Sequence, residues 1–283
     1  NRLCRGVPDD RADADLEMQG KPPTGSRLDA SHPINAGLVA FWPFDERGGQ
    51  AVRDIRGVNR GACVNAPAWS GIGGELKFVR ASSQYVNCGN NASVQLSGKF
   101  TISCWFWMAT NPTTTPGNYA GIVVKGYDGT NTGLQLSLQN DATTGSNSAI
   151  IVASYAGATA TAHGTSFVVS GNVSLSRWYH LVATQDGVTW RLYLNGVQMS
   201  SSTDSTGALS TSKSLLIGAA DFGAIYPFDG YVENVRVYNR GLSRNEVELL
   251  YVQPWAGLVT KHRRVLVNTA AEPDNLGGFL VFM

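Results

Sequence analysis

Glycoside hydrolysis needs two carboxyl groups held across one sugar bond, about 5 to 5.5 Å apart for retention or about 6.5 to 9.5 Å for inversion. The chain offers seven glutamates, Glu17, Glu46, Glu75, Glu233, Glu246, Glu248 and Glu272. Two of them lie in the terminal segments, and Glu246 is spaced to serve a helix cap. The four histidines are scattered, with no Gly-x-Ser-x-Gly elbow and no His-Glu-x-x-His pair. No catalytic residues are expected, and the reading is non-enzymatic. Cys4, Cys63, Cys88 and Cys104 lack C-x-x-C spacing, so zinc is not expected. They read as free or partly buried thiols, with a Cys63 to Cys88 bridge left open for an extracellular protein.

Sugar binding asks for other residue types. Pyranose C–H faces are apolar and the hydroxyls need partners, so an aromatic platform with amide and hydroxyl groups is the expected constellation. Tyr119, Tyr127, Tyr155, Phe222 and Tyr226 lie in Gly- and Asn-rich, loop-like contexts, with Asn118, Asn131 and Asp221 nearby. Tyr119, Tyr127, Asn131, Asp221, Phe222 and Tyr226 are the candidate carbohydrate-binding residues. The alternative is packing inside a sheet, and Trp42, Trp105, Trp178 and Trp190 sit where core residues are expected.

Elements must hold such residues, and composition says which kind. Lysine plus arginine is 22 against 21 acidic residues in a chain of 283. A net charge of +1 supplies no field that draws a protein to nucleic acid or an anionic membrane. Only 15% of residues are charged and 32 are glycine, which suits strands and turns better than surface helices. No apolar run approaches the roughly 20 residues of a membrane span.

From Gly37 onward, short alternating runs are separated by glycine-rich turns. Phe100 to Met108 places Phe100, Ile102, Cys104, Phe106 and Met108 on one face and Thr101, Ser103, Trp105 and Trp107 on the other, so both faces are largely covered. The period of two recurs in Leu134–Gln139, Trp190–Leu194 and Val235–Tyr238. Asn195-Gly196 is the strongest hairpin signal. Ser243-Arg-Asn-Glu246 fits a capping box with Leu242 and Val247 as a staple, predicting one short helix to about Tyr251. The expected fold is all-β: a two-sheet antiparallel jelly-roll sandwich with one short C-terminal helix and extended terminal arms. Its domain spans 37–252, between an N-terminal arm, 1–36, rich in charge and poor in apolar residues, and a C-terminal tail, 253–283.

That tail carries a basic knot, Lys261-His-Arg263-Arg264, and an apolar end with Phe279, Leu280, Val281 and Phe282. These residues are the assembly candidates, docking on their own sandwich or pairing along a neighbouring subunit's sheet edge. Residues 110–166 hold only three charged side chains, Lys125, Asp128 and Asp141, which suits a protein interface or a set of solvated loops equally.

Gly37-Leu-Val-Ala-Phe-Trp-Pro-Phe-Asp45, Phe100 to Trp107, Trp178-Tyr-His-Leu-Val-Ala183 with Trp190 to Gly196, and Phe228 to Ser243 together resemble the laminin-G-like, concanavalin-A-like lectin and glucanase jelly roll. The resemblance implies two antiparallel sheets, and in some members loops that hold calcium and sugars. Enzymatic relatives place their carboxylates as Glu-x-Asp-x-x-Glu, a stretch this chain lacks. The resemblance points to Asp54 with Asn59, and to Asp229, as calcium ligands. Two features depart from it: Val232-Glu233-Asn234 replaces consecutive acids, and Arg56 and Arg60 oppose a cation. The alternative is that Asp54 and Asp229 cap turns.

Pro23 to Pro33 and Leu250 to Trp255 are similar to the lead-in and exit of such domains in bacteriophage and prophage virion proteins. This implies a virion structural protein, a capsid decoration or tail component on the particle surface. It would be a homo-oligomer with other virion proteins as partners, without a membrane and without nucleic acid. The alternative function is a carbohydrate-binding adhesion module recognising cell-surface or environmental polysaccharide.

Overall fold

The structure, a computed structural model, describes residues 21–70, 74–96, 98–112, 119–126, 133–140, 147–156, 161–168, 173–205, 212–220 and 226–259. It is a sandwich of two antiparallel sheets. Sheet I runs from edge to edge through β12 (Thr161–Val168), β11 (Asn147–Ala156), β10 (Gly133–Asn140), β9 (Tyr119–Lys125), β16 (Leu215–Ile217), β7 (Tyr85–Asn87), β4 (Gly61–Val64) and β3 (Ala51–Val52). Sheet II runs through β15 (Val197–Thr203), β14 (Thr189–Leu194), β13 (Trp178–Gln185), β8 (Phe100–Met108), β17 (Gly230–Tyr238), β6 (Leu76–Phe78) and β5 (Ala68–Trp69), with β2 (Leu38–Trp42) also paired to β17. A small ribbon joins β1 (Arg27–Leu28) to β18 (Leu258–Val259).

The alternation read from the sequence is the alternation observed. Phe100, Ile102, Cys104, Phe106 and Met108 point between the sheets, where they join Trp42, Trp190, Ile122, Leu136, Val235 and Val237 in one core. The other face of sheet II carries a second apolar cluster, including Phe41, Val182, Tyr193 and Tyr238. Helix α1 (Arg244–Val252) covers it with Val247 and Leu250. Ser243 caps α1 by accepting the Glu246 N–H, while the Glu246 carboxylate accepts the Ser243 N–H at 2.8 Å. Asn195 and Gly196, at φ 48° and 75°, make the two-residue turn from β14 to β15, a conformation open to Asn and Gly at little steric cost.

One irregularity explains a departure noted in the sequence. Asn234 is an extra residue in β17, where the register to β8 shifts between Glu233 and Arg236, and its φ is +50°. The bulge lets Val232, Val235 and Val237 all reach the inter-sheet core. Asn tolerates that backbone better than most residues. Its amide donates to the Pro254 carbonyl at 2.7 Å and accepts from Arg236 Nε at 3.0 Å.

The flanks extend the packed unit beyond 37–252. Ile34 is buried in the second cluster, with Leu28, Trp255 and Leu258 packed on it. Apolar residues placed one per few positions in each flank suffice for this, because the outer face of sheet II supplies the rest of the surface. Cys63, Cys88 and Cys104 are free thiols. Burial pushes the Cys63 thiol up to about 11 and holds those of Cys88 and Cys104 well above the ordinary thiol value. Among the described residues no helix is long and apolar enough to cross a membrane.

Candidate functional site

Two of the sugar-binding candidates meet at one end of sheet I. Tyr119 opens β9. After β16 the chain turns at Gly218, φ +87°, which donates to the Ile122 carbonyl at 2.9 Å. It then crosses Gly121 so closely that a Cβ there would lie 2.6 Å from the Ala219 carbonyl carbon. Only glycine admits that approach. The return leg is held by Tyr226 N–H to the Ala220 carbonyl at 3.3 Å and Gly121 N–H to the Tyr226 carbonyl at 3.1 Å. Tyr226 therefore meets Tyr119 edge to face, with ring centroids 6.0 Å apart and planes at 75°. The Gln139 amide donates to the Tyr119 hydroxyl at 3.4 Å. Arg80 braces this end, giving Nη1 to the Asn111 carbonyl at 2.8 Å and Nε to the Pro227 carbonyl at 3.2 Å. Two half-buried rings with phenol hydroxyls and an amide are the groups a sugar needs. Tyr127, Asn131, Asp221 and Phe222 lie outside the described residues, as do the assembly candidates Lys261, Arg263, Arg264, Phe279, Leu280, Val281 and Phe282.

The calcium candidates fall into two separate places. Asp54 is buried, and its Oδ1 accepts the N–H groups of Phe41 and Arg56, both at 2.9 Å. Its Oδ2 accepts from Val58 N, Asn59 N and Asn59 Nδ2 at 3.2, 2.9 and 3.1 Å. Five donors occupy this carboxylate, so it closes the turn onto β2, and a cation there would have to displace them. Arg53 and Arg60 line the adjacent cavity of about 410 Å³ together with Glu46. Asp229 stands elsewhere, accepting from Thr110 Oγ1 at 2.6 Å and from the Arg80 N–H at 3.4 Å. Among the described residues no three His, Cys, Asp or Glu side chains gather.

The paired carboxylates nearest to a catalytic arrangement are Glu75 and Glu233. Both are buried on the outer face of sheet II. Lys21 reaches in from the N-terminal flank, 2.8 Å from Glu233 Oε2 and 4.0 Å from Glu75 Oε1. Ser70 donates to Glu75 as well. Bridged by a lysine and shut from solvent, this pair is arranged to hold the flank down rather than to meet a sugar bond.

A second aromatic group was not legible as a unit. Trp178, Trp107 and Tyr231 come from β13, β8 and β17, and the register sets Trp178 opposite Trp107 and Trp107 opposite Tyr231. Tyr231 lies 5.2 Å from Trp107, planes at 74°, and 6.3 Å from Trp178, planes at 44°. All three are partly exposed. The sequence reading placed Trp178 with the core tryptophans. Trp42, Trp105 and Trp190 are buried, whereas Trp178 opens its strand on the outward face and is partly exposed. Period-two alternation told which face each ring takes, but not which faces the flanks would leave bare.

Comparison with known proteins agrees with this architecture. The family model described as the concanavalin A-like lectin/glucanases superfamily matches residues 80–248, more than half of the chain. The chain belongs to that superfamily. Domain 4 of an extracellular arabinanase from Geobacillus stearothermophilus, solved in complex with arabinotriose, is similar at 18% identity and TM-score 0.58. That match covers 76% of this chain and 98% of the other. The receptor-binding domain of botulinum neurotoxin mosaic serotype C/D is similar at 14% identity and TM-score 0.59, with 77% of this chain and 51% of the other covered. Trypanosoma rangeli sialidase gives 19% identity and TM-score 0.52, over 78% of this chain and 34% of the sialidase. The superfamily domain thus spans about half of the toxin binding domain and a third of the sialidase. No match is found among curated proteins.

Proposed function

We propose that this lectin-like sandwich is a non-catalytic carbohydrate-binding module that grips its glycan at the Tyr119–Tyr226 end of sheet I. The observation that carries the reading is that edge-to-face tyrosine pair, with the Gln139 amide on the Tyr119 hydroxyl, in a superfamily domain whose neighbour was solved with arabinotriose. Its non-catalytic character is supported by the lysine-bridged burial of Glu75 and Glu233. The test is an array of bacterial, algal and plant polysaccharides, arabinan included, probed with the full chain. Binding is expected with a Kd of about 1 mM to 1 μM, no release of reducing sugar, and at least about a tenfold loss in Tyr119→Ala and Tyr226→Ala. Silence across the array, or variants that bind unchanged, overturns it.

A second reading, compatible with the first, is that the domain is displayed on a phage particle as a capsid decoration or tail component, assembled through its arms. One observation favours it. β1 and β18 pair antiparallel, Arg27 opposite Val259, so the two flanks approach the sandwich side by side. A domain tethered at one place leaves the rest of its surface free to meet a ligand. Light scattering on the full chain is expected to give a defined oligomer; a monomer at every concentration counts against assembly through the arms.

A further inference from the structure

We propose that Trp178, Trp107 and Tyr231 form a second sugar-binding site, on the outer face of sheet II, which takes a single pyranose unit of a neutral polysaccharide. The three rings are neighbours across three strands, yet they are not coplanar: planes inclined at 74° and 44° make a wedge rather than a flat shelf. A wedge of that kind meets one sugar on its C–H face and on its edge, where a long chain would need rings lying parallel. Donors are within the same row. Lys77 on β6 stands opposite Tyr231. Lys77 is partly exposed.

Ring stacking on apolar C–H faces is what selects a neutral sugar. Glu75 and Glu233 are already bridged by Lys21, while Lys77 opposite Tyr231 and Arg177 before Trp178 reach the surface. Size argues against a protein partner. Three partly covered aromatic side chains, at about 150–250 Å² each when whole, stay below the roughly 800 Å² that each side brings to a standard interface. The site shares its ligand class with the proposed function but none of its residues, so the two stand or fall separately and together make the domain bivalent.

Chromophores make the separation measurable, because the sheet I end contributes tyrosines and this site contributes two of the chain's seven tryptophans. Full-length protein labelled with 5-fluorotryptophan is titrated with cellohexaose and mannohexaose to about 10 mM while fluorine NMR is recorded, a range that detects a Kd near 1 mM. Trp107→Phe and Trp178→Phe each delete one resonance and so assign the pair. The expected result is that these two resonances move on titration, that they still move in Tyr119→Ala/Tyr226→Ala protein, and that added salt leaves the midpoint unchanged. The site is overturned if neither hexaose moves them, or if they move with protein concentration instead, the sign of self-association. A trigalacturonate that binds tenfold tighter than the neutral sugars overturns the assigned ligand class.

Discussion

The outer face of sheet II has a covered half and an open end, and the boundary between them falls within single strands. In β8, Trp105 is 1% exposed and Trp107, two residues on, is partly exposed. The covered half lies under α1 and the chain-end flanks, and its buried guanidinium is paired to backbone carbonyls. Arg236, 1% exposed, gives Nη2 to the Pro254 carbonyl at 2.6 Å and Nη1 to the Ala256 carbonyl at 2.9 Å, with its guanidinium 4.2 Å above the Phe41 ring. Lone charges do not survive burial without such partners. At the open end no such demand exists, and rings remain where donors would otherwise be needed. One sheet face therefore does two jobs: half of it is a second core, and the rest is available for recognition.

The largest effect that tests this division is a matched pair of truncations. Trp105 stacks on His180 at 5.1 Å and on Tyr251 of α1 at 5.9 Å. Trp105→Ala removes a fully packed indole, and urea unfolding is expected to show a loss of about 3–5 kcal/mol. Trp107→Ala, on the same strand and face, is expected to cost about 1–2 kcal/mol, since part of its surface already meets water. Equal losses would erase the distinction, and so would a larger loss at Trp107.

How much of this was written in the sequence follows from which forces act locally. The covered character of Phe100 to Met108 was legible, because a strand buried on both faces needs apolar or aromatic residues at every second position on each side. The capping box at Ser243 and the Asn195-Gly196 turn were legible for the same reason: their chemistry is complete within four residues. What covers the outer face was not. Ile34, Trp255 and Leu258 come from flanks whose composition reads as linker, and their burial depends on one cluster that joins residues from both ends of the domain, Phe41 and Tyr238 among them, with Val182 and Tyr193 between. Tyr119 and Tyr226 were named singly from their glycine-rich surroundings. Their meeting depends on the crossing over Gly121, a contact between segments that no local pattern announces. The Trp178–Trp107–Tyr231 group was missed because register between strands, not spacing along one, assembles it.

A titration sharpens the comparison at a smaller scale. His180 is 1% exposed in the covered half, packed against both Trp105 and Tyr251, with Nε2 2.9 Å from Ser103 Oγ. Burial, with Arg236 nearby as the lesser cause, lowers its pKa to about 3. The imidazole therefore stays neutral when folded at a pH where the unfolded chain has taken up a proton. Between the ordinary histidine value near 6.5 and about 3 the unfolded state binds the extra proton, so stability falls as pH falls through that window. The slope from this one group approaches about 1.4 kcal/mol per pH unit. His180→Gln is expected to flatten the curve by that amount between pH 6 and 4, read from urea midpoints at each pH beside the parent. Parallel curves would mean that water reaches the ring and that the cover is looser than its packing.

The smallest effect addresses whether that cover is part of the fold or an attachment to it. Ser243 accepts the Glu246 N–H, and Glu246 is held from the other side by Arg240 through Nη1 at 3.0 Å and Nη2 at 2.6 Å. Ser243→Ala removes one cap and leaves the ion pair, and a loss of about 1 kcal/mol is the usual cost. Where that energy appears is the informative part. Val247 and Leu250 of α1 are buried in the cluster that also contains Phe41, Val182 and Tyr238 of sheet II, so the helix and the sheet share one apolar surface. If they unfold together, native-state hydrogen exchange in Ser243→Ala protein speeds up in α1 and in β8 by the same factor, roughly fivefold for about 1 kcal/mol. Loss of protection confined to α1 would make the helix a detachable lid. The open end would then be the resting edge of a larger aromatic surface that includes Trp105.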